Sequence, residues 1–237
     1  MLYIIGLGLN AKGISLQGMD ALKKCKKIYL ENYTVDFPYS EGELREVIGK
    51  KILPADRDFV ESLKIVDMAK KLDIALLVYG SPLTATTHIS LIEEAKEVGI
   101  KCKIIYSSSV FDAIAETGLQ IYKFGKITSM PAWKKNYTPD SFMEIVKQNL
   151  SIDAHSLILV DIGLEFHEAL KELEIAAKKH KIVLNKIILC QCLGTRYSKI
   201  FYNNLEDFKK FTSVKKPYCI IIPSKLHFVE KEILEDF

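Results

Sequence analysis

"IALLVYGSPLTATTHISLIEEAKEVG" (residues 74–99) decides the fold. Five apolar residues, Ile74 to Val78, run without alternation and stop at Tyr79-Gly80-Ser81-Pro82. A run this short and this apolar reads as a strand buried on both faces. The amphipathic stretch beyond it reads as a helix ending at Gly99. Between them lies a loop dense in small hydroxyls. It sits at the carboxyl end of a buried strand, where open α/β sheets bind ligands. Gly80 lets the backbone turn and approach a ligand, and Pro82 fixes the loop. The loop has no Lys, so it is not a Walker-type phosphate grip. Taken alone, the stretch also reads as a plain strand-to-helix turn with Thr86 or Thr87 as N-cap.

The same alternation extends outward. "LYIIGLGLN" (2–10) is an apolar strand entering a glycine-rich turn. "SLQGMDALKKC" (15–25) is a helix capped by Ser15, with Leu16, Met19 and Leu22 inward. "KIYLENY" (27–33) is a strand and "GELREVIG" (42–49) a short helix. "DFVESLKIVDMAKKL" (58–72) is one helix with Phe59, Leu63, Val66 and Ala69 on a stripe. "KCKIIY" (101–106) is a strand, and "SVFDAIAETG" (109–118) a helix between Ser109 and Gly118. Continuous apolar strands alternating with amphipathic helices imply a parallel α/β sheet. Up to about residue 106 they make a compact unit of five strands.

The second half is less regular. "FGKITSMPAWKKNY" (124–137) has turn and loop character, and Thr138-Pro139 starts a helix carrying Phe142, Ile145, Val146 and Leu150. "SLILVDIG" (156–163), "KIILCQCLG" and "PYCIIIP" are strands. "FHEALKELEIAAKKH" (166–180) is a helix with Phe166, Leu170, Leu173 and Ala177 inward, and "KLHFVEKEIL" makes a last strand-to-helix turn. The chain therefore divides into two α/β lobes, 1–106 and 107–237.

The length of 237 residues and the 49% hydrophobic content allow a large core without staples. The net charge of +3 comes from Lys scattered among Glu and Asp, a solvated mixed-charge surface rather than a nucleic-acid face. Five Cys without C-x-x-C spacing fit a reducing, cytoplasmic compartment. Cys190 and Cys192, two apart, share a strand face. No apolar stretch reaches about 18 residues, so no membrane span is expected. The five His form no metal-ligand spacing, and no G-x-S-x-G elbow appears. "GLGLNA" (6–11), with Glu31 after the second strand, imitates a dinucleotide fingerprint. That fingerprint starts its helix at the second glycine, whereas here the best cap is Ser15. A binding loop of another kind fits better than a nicotinamide or flavin site or a bare turn. "YSSSV" (106–110) is a second corner at a strand end, with Ser109 as cap.

"YIIGLGL", "YGSPLTATTH", "GLQIYKFGK" (118–126), "LVDIG" (159–163) and "IIPSKLHFVE" (221–230) together resemble the diphthine synthase family nearly end to end. The resemblance implies the tetrapyrrole-methylase (class III methyltransferase) fold, two α/β lobes with a cofactor cleft between them. It implies S-adenosyl-L-methionine as cofactor. The activity it implies is N-methylation of the 3-amino-3-carboxypropyl-histidine intermediate on elongation factor 2, in diphthamide biosynthesis. It also implies a homodimer.

The family's cofactor contacts fall on Leu9, Ser81, Thr84, Ser109, Val110, Val160, Cys192 and Tyr218. No catalytic residue is assigned; His88 and Thr87 are candidates for handling the amine. "AWKKNY" (132–137), with Trp133 and Tyr137 as anchors, is a candidate docking segment for the protein acceptor. This chain departs from the family in places. Ser81 stands where Asp is usual, Gln191-Cys192-Leu193-Gly194 replaces an Arg-Ala-Gly run, and Tyr218 replaces His. Trading a charge-assisted bond for a neutral one at Ser81 costs about 1 kcal/mol, several-fold in affinity. Two alternatives share the fold: an S-adenosylmethionine-binding protein without catalysis, and a tetrapyrrole methyltransferase. The I-Y-K-F-G-K and K-L-H-F-V-E segments argue against the second.

Overall fold

The first strand, β1 (Leu2–Gly6), is buried at every residue. Leu2 and Ile4 join one apolar cluster, Tyr3 and Ile5 another. Side chains alternate across a sheet, so this strand has cover on both sides. The computed structural model describes all residues, 1–237, in two compact units, Met1–Ala113 and Ile114–Phe237.

In the first unit β1 is followed by α1 (Leu16–Lys24), β2 (Lys27–Glu31), α2 (Glu41–Ile48), β3 (Leu53–Ala55), α3 (Arg57–Glu61), α4 (Lys64–Ala69), β4 (Ile74–Val78), α5 (Ile89–Glu97), β5 (Cys102–Ile105) and α6 (Val110–Ala113). The sheet order is β3-β2-β4-β1-β5, with every pair parallel. Leu22 of α1 and Leu44 and Ile48 of α2 pack with Tyr3, Ile5 and Leu77. Val60, Val66, Leu91 and Ala95, from α3 to α5, pack with Leu2, Ile4 and Leu76 on the other face. The chain leaves β1 toward one face and β4 toward the other. The gap between these two neighbours is the topological switch point.

Two local expectations change. Leu16 is 86% exposed, and α1 instead buries Gly18, Ala21 and Leu22. Leu16 is the first helical residue, and the covered face lies two residues further round the turn. The single helix over 58–72 is two, parted by Leu63 in the left-handed region at φ 60°. Asp56 caps the first by accepting from Phe59 N at 2.8 Å, and Ser62 Oγ closes it by donating to Phe59 O. Val66 and Ala69 still face the core. The expected count of five strands holds, and the one without a quoted segment is β3, three residues long and too short to show periodicity.

The second unit opens with two 3-10 turns, Ile114–Thr117 and Ile121–Lys123. It continues as β6 (Thr128–Met130), α7 (Ser141–Ser151), β7 (Ser156–Val160), α8 (Phe166–Lys179), β8 (Lys186–Gln191), β9 (Lys199–Asn204), α9 (Leu205–Phe208), β10 (Tyr218–Ile222) and α10 (Phe228–Leu234). The order is β6-β7-β10-β8-β9; β6 and β7 are parallel and the other pairs antiparallel. Phe166, Leu170, Leu173 and Ala177 of α8 are buried as expected, over Ile158, Leu189 and Ile220. β6 lies inside the stretch expected as loop, and β9 ("KIFYNN") had no strand signal. Each forms by pairing with an apolar neighbour rather than by its own pattern. Helix α7 starts at Ser141, after Pro139 rather than at it. Cys190 and Cys192 share no face, because β8 ends at Gln191 and Cys192 turns to φ 48°. The segment "KLHFVEKEIL" holds no strand of its own; it carries the chain from β10 into α10.

Two of the quoted motifs meet at Glu230, which is fully buried. Its carboxylate accepts from Lys123 Nζ, from Gln120 N at 3.0 Å and from His227 N at 2.7 Å. Ser224 N donates to His155 Nδ1 at 2.9 Å, so the His155 proton sits on Nε2, which faces Glu230 at 3.3 Å. Burial depresses the His155 pKa and keeps the ring neutral. Burial alone would raise the Glu230 pKa, but Lys123 and these N–H donors hold it at about 2. The ordinary value is 4.5, and the difference is worth roughly 3 kcal/mol. A depressed carboxyl stabilises the fold fully above pH 4.5, and that contribution drains away as pH falls toward 2. Glu230→Gln is expected to destabilise the chain by about 3 kcal/mol near neutral pH and to flatten the loss between pH 4.5 and 2. Urea unfolding across that range checks it; an unchanged acid limb would sink the assignment.

Candidate functional site

Three loops leave the carboxyl ends of β1, β4 and β5 and close on one another. Gly8 N donates to Gly80 O at 3.1 Å and Gly80 N returns to Gly8 O at 3.0 Å. Ser107 Oγ donates to Gly13 O at 2.8 Å, and Tyr79 Oη to Leu9 O at 3.2 Å. No side chain fits between these backbones. A Cβ on Gly6 would lie 2.6 Å from Gly80 O, and one on Gly13 would lie 2.6 Å from Leu7 O. Gly8 and Gly80 both stand at φ 69°, where an L side chain is strained. β1 ends at Gly6 and α1 begins at Leu16, capped by Ser15. The helix does not start at the glycines, which removes the pyrophosphate grip of a dinucleotide site.

Of the expected contacts in this unit, Leu9 is buried, while Ser81 and Thr84 are half-buried and joined by a turn, Thr84 N to Ser81 O at 3.0 Å. Ser109 is buried; its Oγ accepts from Phe111 N and its N donates to Asp112 Oδ2 at 2.7 Å. Val110, half-buried, is the first residue of α6. Neither Thr86 nor Thr87 caps α5. Thr86 Oγ1 turns back to Pro82 O at 2.8 Å, and the cap position is His88, without a side-chain bond. His88 is 1% exposed. Its Nδ1 donates to Pro82 O at 3.2 Å, and Nε2 lies 3.5 Å from the Tyr33 hydroxyl. Thr87 is exposed, and its carbonyl accepts from Ser90 Oγ.

Behind His88 stands the pair Glu31 and Tyr33, with Glu31 serving here as a buried carboxylate rather than as the acidic residue of a dinucleotide fingerprint. Glu31, fully buried at the end of β2, accepts from Thr34 Oγ1 at 2.5 Å and from Tyr33 N. Burial raises its pKa. The Tyr33 ring carries the Arg57 guanidinium 5.2 Å above its centroid. Burial, then Glu31, pushes the Tyr33 hydroxyl up to about 12, so it remains a donor to His88. The one available signal was an acidic residue closing an apolar strand.

In the second unit Val160, Cys192 and Tyr218 gather at one end of the sheet, because β7 and β8 end where β10 begins. Cys192 N donates to Pro217 O at 2.8 Å, and Sγ to Lys216 O at 3.2 Å. Burial raises the thiol pKa and keeps it neutral. The Tyr218 hydroxyl donates to Leu164 O at 3.0 Å, and its ring stands edge-on to Phe166. That side chain belongs to the core. In the candidate docking segment Trp133 is tied down, its Nε1 to Pro139 O and its backbone N to Glu172 Oε1, both at 2.9 Å. Tyr137 is the exposed one of the two expected anchors.

Comparison with known proteins bears on both clusters. Residues 1–209 match the family described as Tetrapyrrole (Corrin/Porphyrin) Methylases. The diphthine synthase of Methanocaldococcus jannaschii is 37% identical over 99% of this chain and 98% of its own length. The diphthine methyl ester synthase of Schizosaccharomyces pombe is 43% identical over 70% of this chain and 59% of its own. A crystal structure of diphthine synthase superposes with a TM-score of 0.89 at 30% identity, covering 100% of this chain and 95% of the other. The chain belongs to the tetrapyrrole methylase family and, within it, to the diphthine synthases.

Proposed function

We propose that this methyltransferase takes its methyl group from S-adenosyl-L-methionine and places it on the amino group of a 3-amino-3-carboxypropyl arm carried by a histidine of elongation factor 2. The reading rests on family membership and on one observation of the chain itself, the glycine-packed meeting of the β1, β4 and β5 loops. Its partly exposed donors, Ser81 and Thr84, are neutral hydroxyls suited to a nucleoside with an amino-acid arm. Bound cofactor supplies a methyl group on a positively charged sulfur, already activated for in-line displacement.

The work left to the residues is positional. Leu9, Ser81, Thr84, Ser109 and Val110 are the proposed contacts from the first unit, and Val160, Cys192 and Tyr218 those from the second. The buried Tyr218 ring limits that residue's share to its backbone. His88 holds the Pro82 carbonyl, and with it the Ser81–Thr84 turn; we assign it positioning rather than proton transfer. Thr87 is left as the exposed hydroxyl beside the acceptor amine. No helix is long and apolar enough to cross a membrane. The proposed acceptor is cytoplasmic, and we place the chain there as a homodimer.

Calorimetric titration with S-adenosylmethionine and with its demethylated product tests the reading first. Micromolar binding is expected, followed by a mass gain on the modified elongation factor that counts the methyls. Absence of binding to both ligands would refute it. Ser81→Asp is expected to tighten cofactor binding several-fold, the inverse of the cost of about 1 kcal/mol. Gly13→Ala sets a Cβ against the Leu7 carbonyl and is expected to weaken binding about tenfold or more, with circular dichroism unchanged. His88→Ala is expected to raise the cofactor Kd while kcat at saturation stays within about twofold. A collapse of kcat at unchanged Kd would instead give His88 a chemical role.

A further inference from the structure

The first unit holds a cavity of about 180 Å³ apart from the loop cluster, lined by Leu30, Asn32, Phe37, Tyr39, Glu41, Leu44 and Pro54. Its walls are mostly apolar, with Asn32 and Glu41 among them, and come from the ends of β2 and β3, the first turns of α2 and the aromatic loop between β2 and α2. Two features distinguish it from a packing gap. The Tyr39 hydroxyl oxygen is buried without a hydrogen-bond partner. Burial, then the neighbouring Tyr79, raises the Tyr39 pKa, so the group stays an O–H donor in want of an acceptor. Such an orphan is costly in a native fold and calls for a ligand or water.

The cavity wall also leads straight to the loop cluster. Phe37 stands edge-on to Tyr79 and Tyr39 lies tilted against it, with ring centroids 5.4 Å and 6.3 Å away. Tyr79 immediately precedes Gly80, and its hydroxyl holds Leu9. A ligand seated here would lean on the same aromatic cluster that braces the proposed cofactor loops.

We infer that this cavity seats the imidazole ring of the methyl acceptor, between Phe37 and Leu44, with Tyr39 donating to a ring nitrogen. The assignment rests on the reading of the acceptor as a substituted histidine. A flat five-membered ring with one acceptor nitrogen and one N–H matches the lining. Apolar faces take the ring, Tyr39 offers the donor, and Asn32 and the Glu41 carboxylate, which also holds Arg45 at 2.8 Å, offer acceptors at the mouth. The volume admits a ring and the start of its arm but not a whole nucleoside.

The probe is 4-methylimidazole at a pH where it is neutral, observed by saturation-transfer NMR on the full chain. Ring protons are expected to receive saturation from the protein. Tyr39→Phe keeps the ring and removes only the orphan hydroxyl, so it folds at equal or higher stability. It is expected to weaken the probe roughly three- to tenfold and to leave S-adenosylmethionine affinity unchanged. With the modified elongation factor, the same variant should raise KM and spare kcat. Lack of transfer, or equal transfer in Tyr39→Phe, overturns the inference. Probe binding that is sensitive to Tyr39 in a chain that binds no S-adenosylmethionine would keep the cavity and discard the methyltransfer reading. The reverse result would do the opposite.

Discussion

Two hydrogen bonds between Gly8 and Gly80 set the rest of the first unit's working end. They join the loops of β1 and β4 where the chain leaves the sheet toward opposite faces. Loops diverging at a switch point open a crevice, which is why ligands gather there. Here the crevice is narrowed by backbone against backbone, with Gly6 and Gly13 too close to their neighbours to carry any side chain. Once backbone does the closing, the remaining side chains can be short. The dense hydroxyls of residues 81–87 follow from that constraint: they decorate a turn whose position is fixed from below by Pro82, His88 and Tyr33.

The first sheet was plain in the sequence because its strands are buried on both faces. Ile74–Val78 and Leu2–Gly6 carry unbroken apolar runs, and the first helix between them carries the cap Ser15. What escaped was held by tertiary pairing. β9 is half-buried and polar in places, β6 has three residues, and Leu63 breaks a helix whose apolar stripe continues through the break. At the site, loop positions were readable because glycine and proline punctuate strand ends. Side-chain directions were not. His88 and Tyr218 look like candidate working groups in sequence and prove to be enclosed, one beneath the Pro82 carbonyl and one in the second core. The Tyr39 cavity left no periodic trace at all, since it is made by a loop folding over two strand ends.

The two buried carboxylates show how differently the chain treats charge. Glu230 is ringed by an ammonium, backbone N–H groups and a neutral imidazole, so it remains ionised and locks α10 to the Gln120–Lys123 turn. That explains why the I-Y-K-F-G-K and K-L-H-F-V-E segments, a hundred residues apart, read as a single signature. Glu31 has no ammonium beside it, only hydroxyl and backbone donors and the neighbouring His88, and burial shifts it the other way. Partners, rather than depth, decide the sign, because both groups are fully buried.

The same reasoning bears on Ser81. In the proposed site the Ser81 hydroxyl serves cofactor binding, and a contact that is alike in ground and transition states contributes uniform binding only. Losing a carboxylate there subtracts uniform binding, which enters KM and leaves kcat alone. The meeting of the β1 and β4 loops is carried by backbone hydrogen bonds and glycine packing, and the serine leaves these untouched. On the proposed function, Ser81 is therefore expected to weaken cofactor binding without slowing catalysis. Its cost appears only where the cofactor concentration lies below the raised KM.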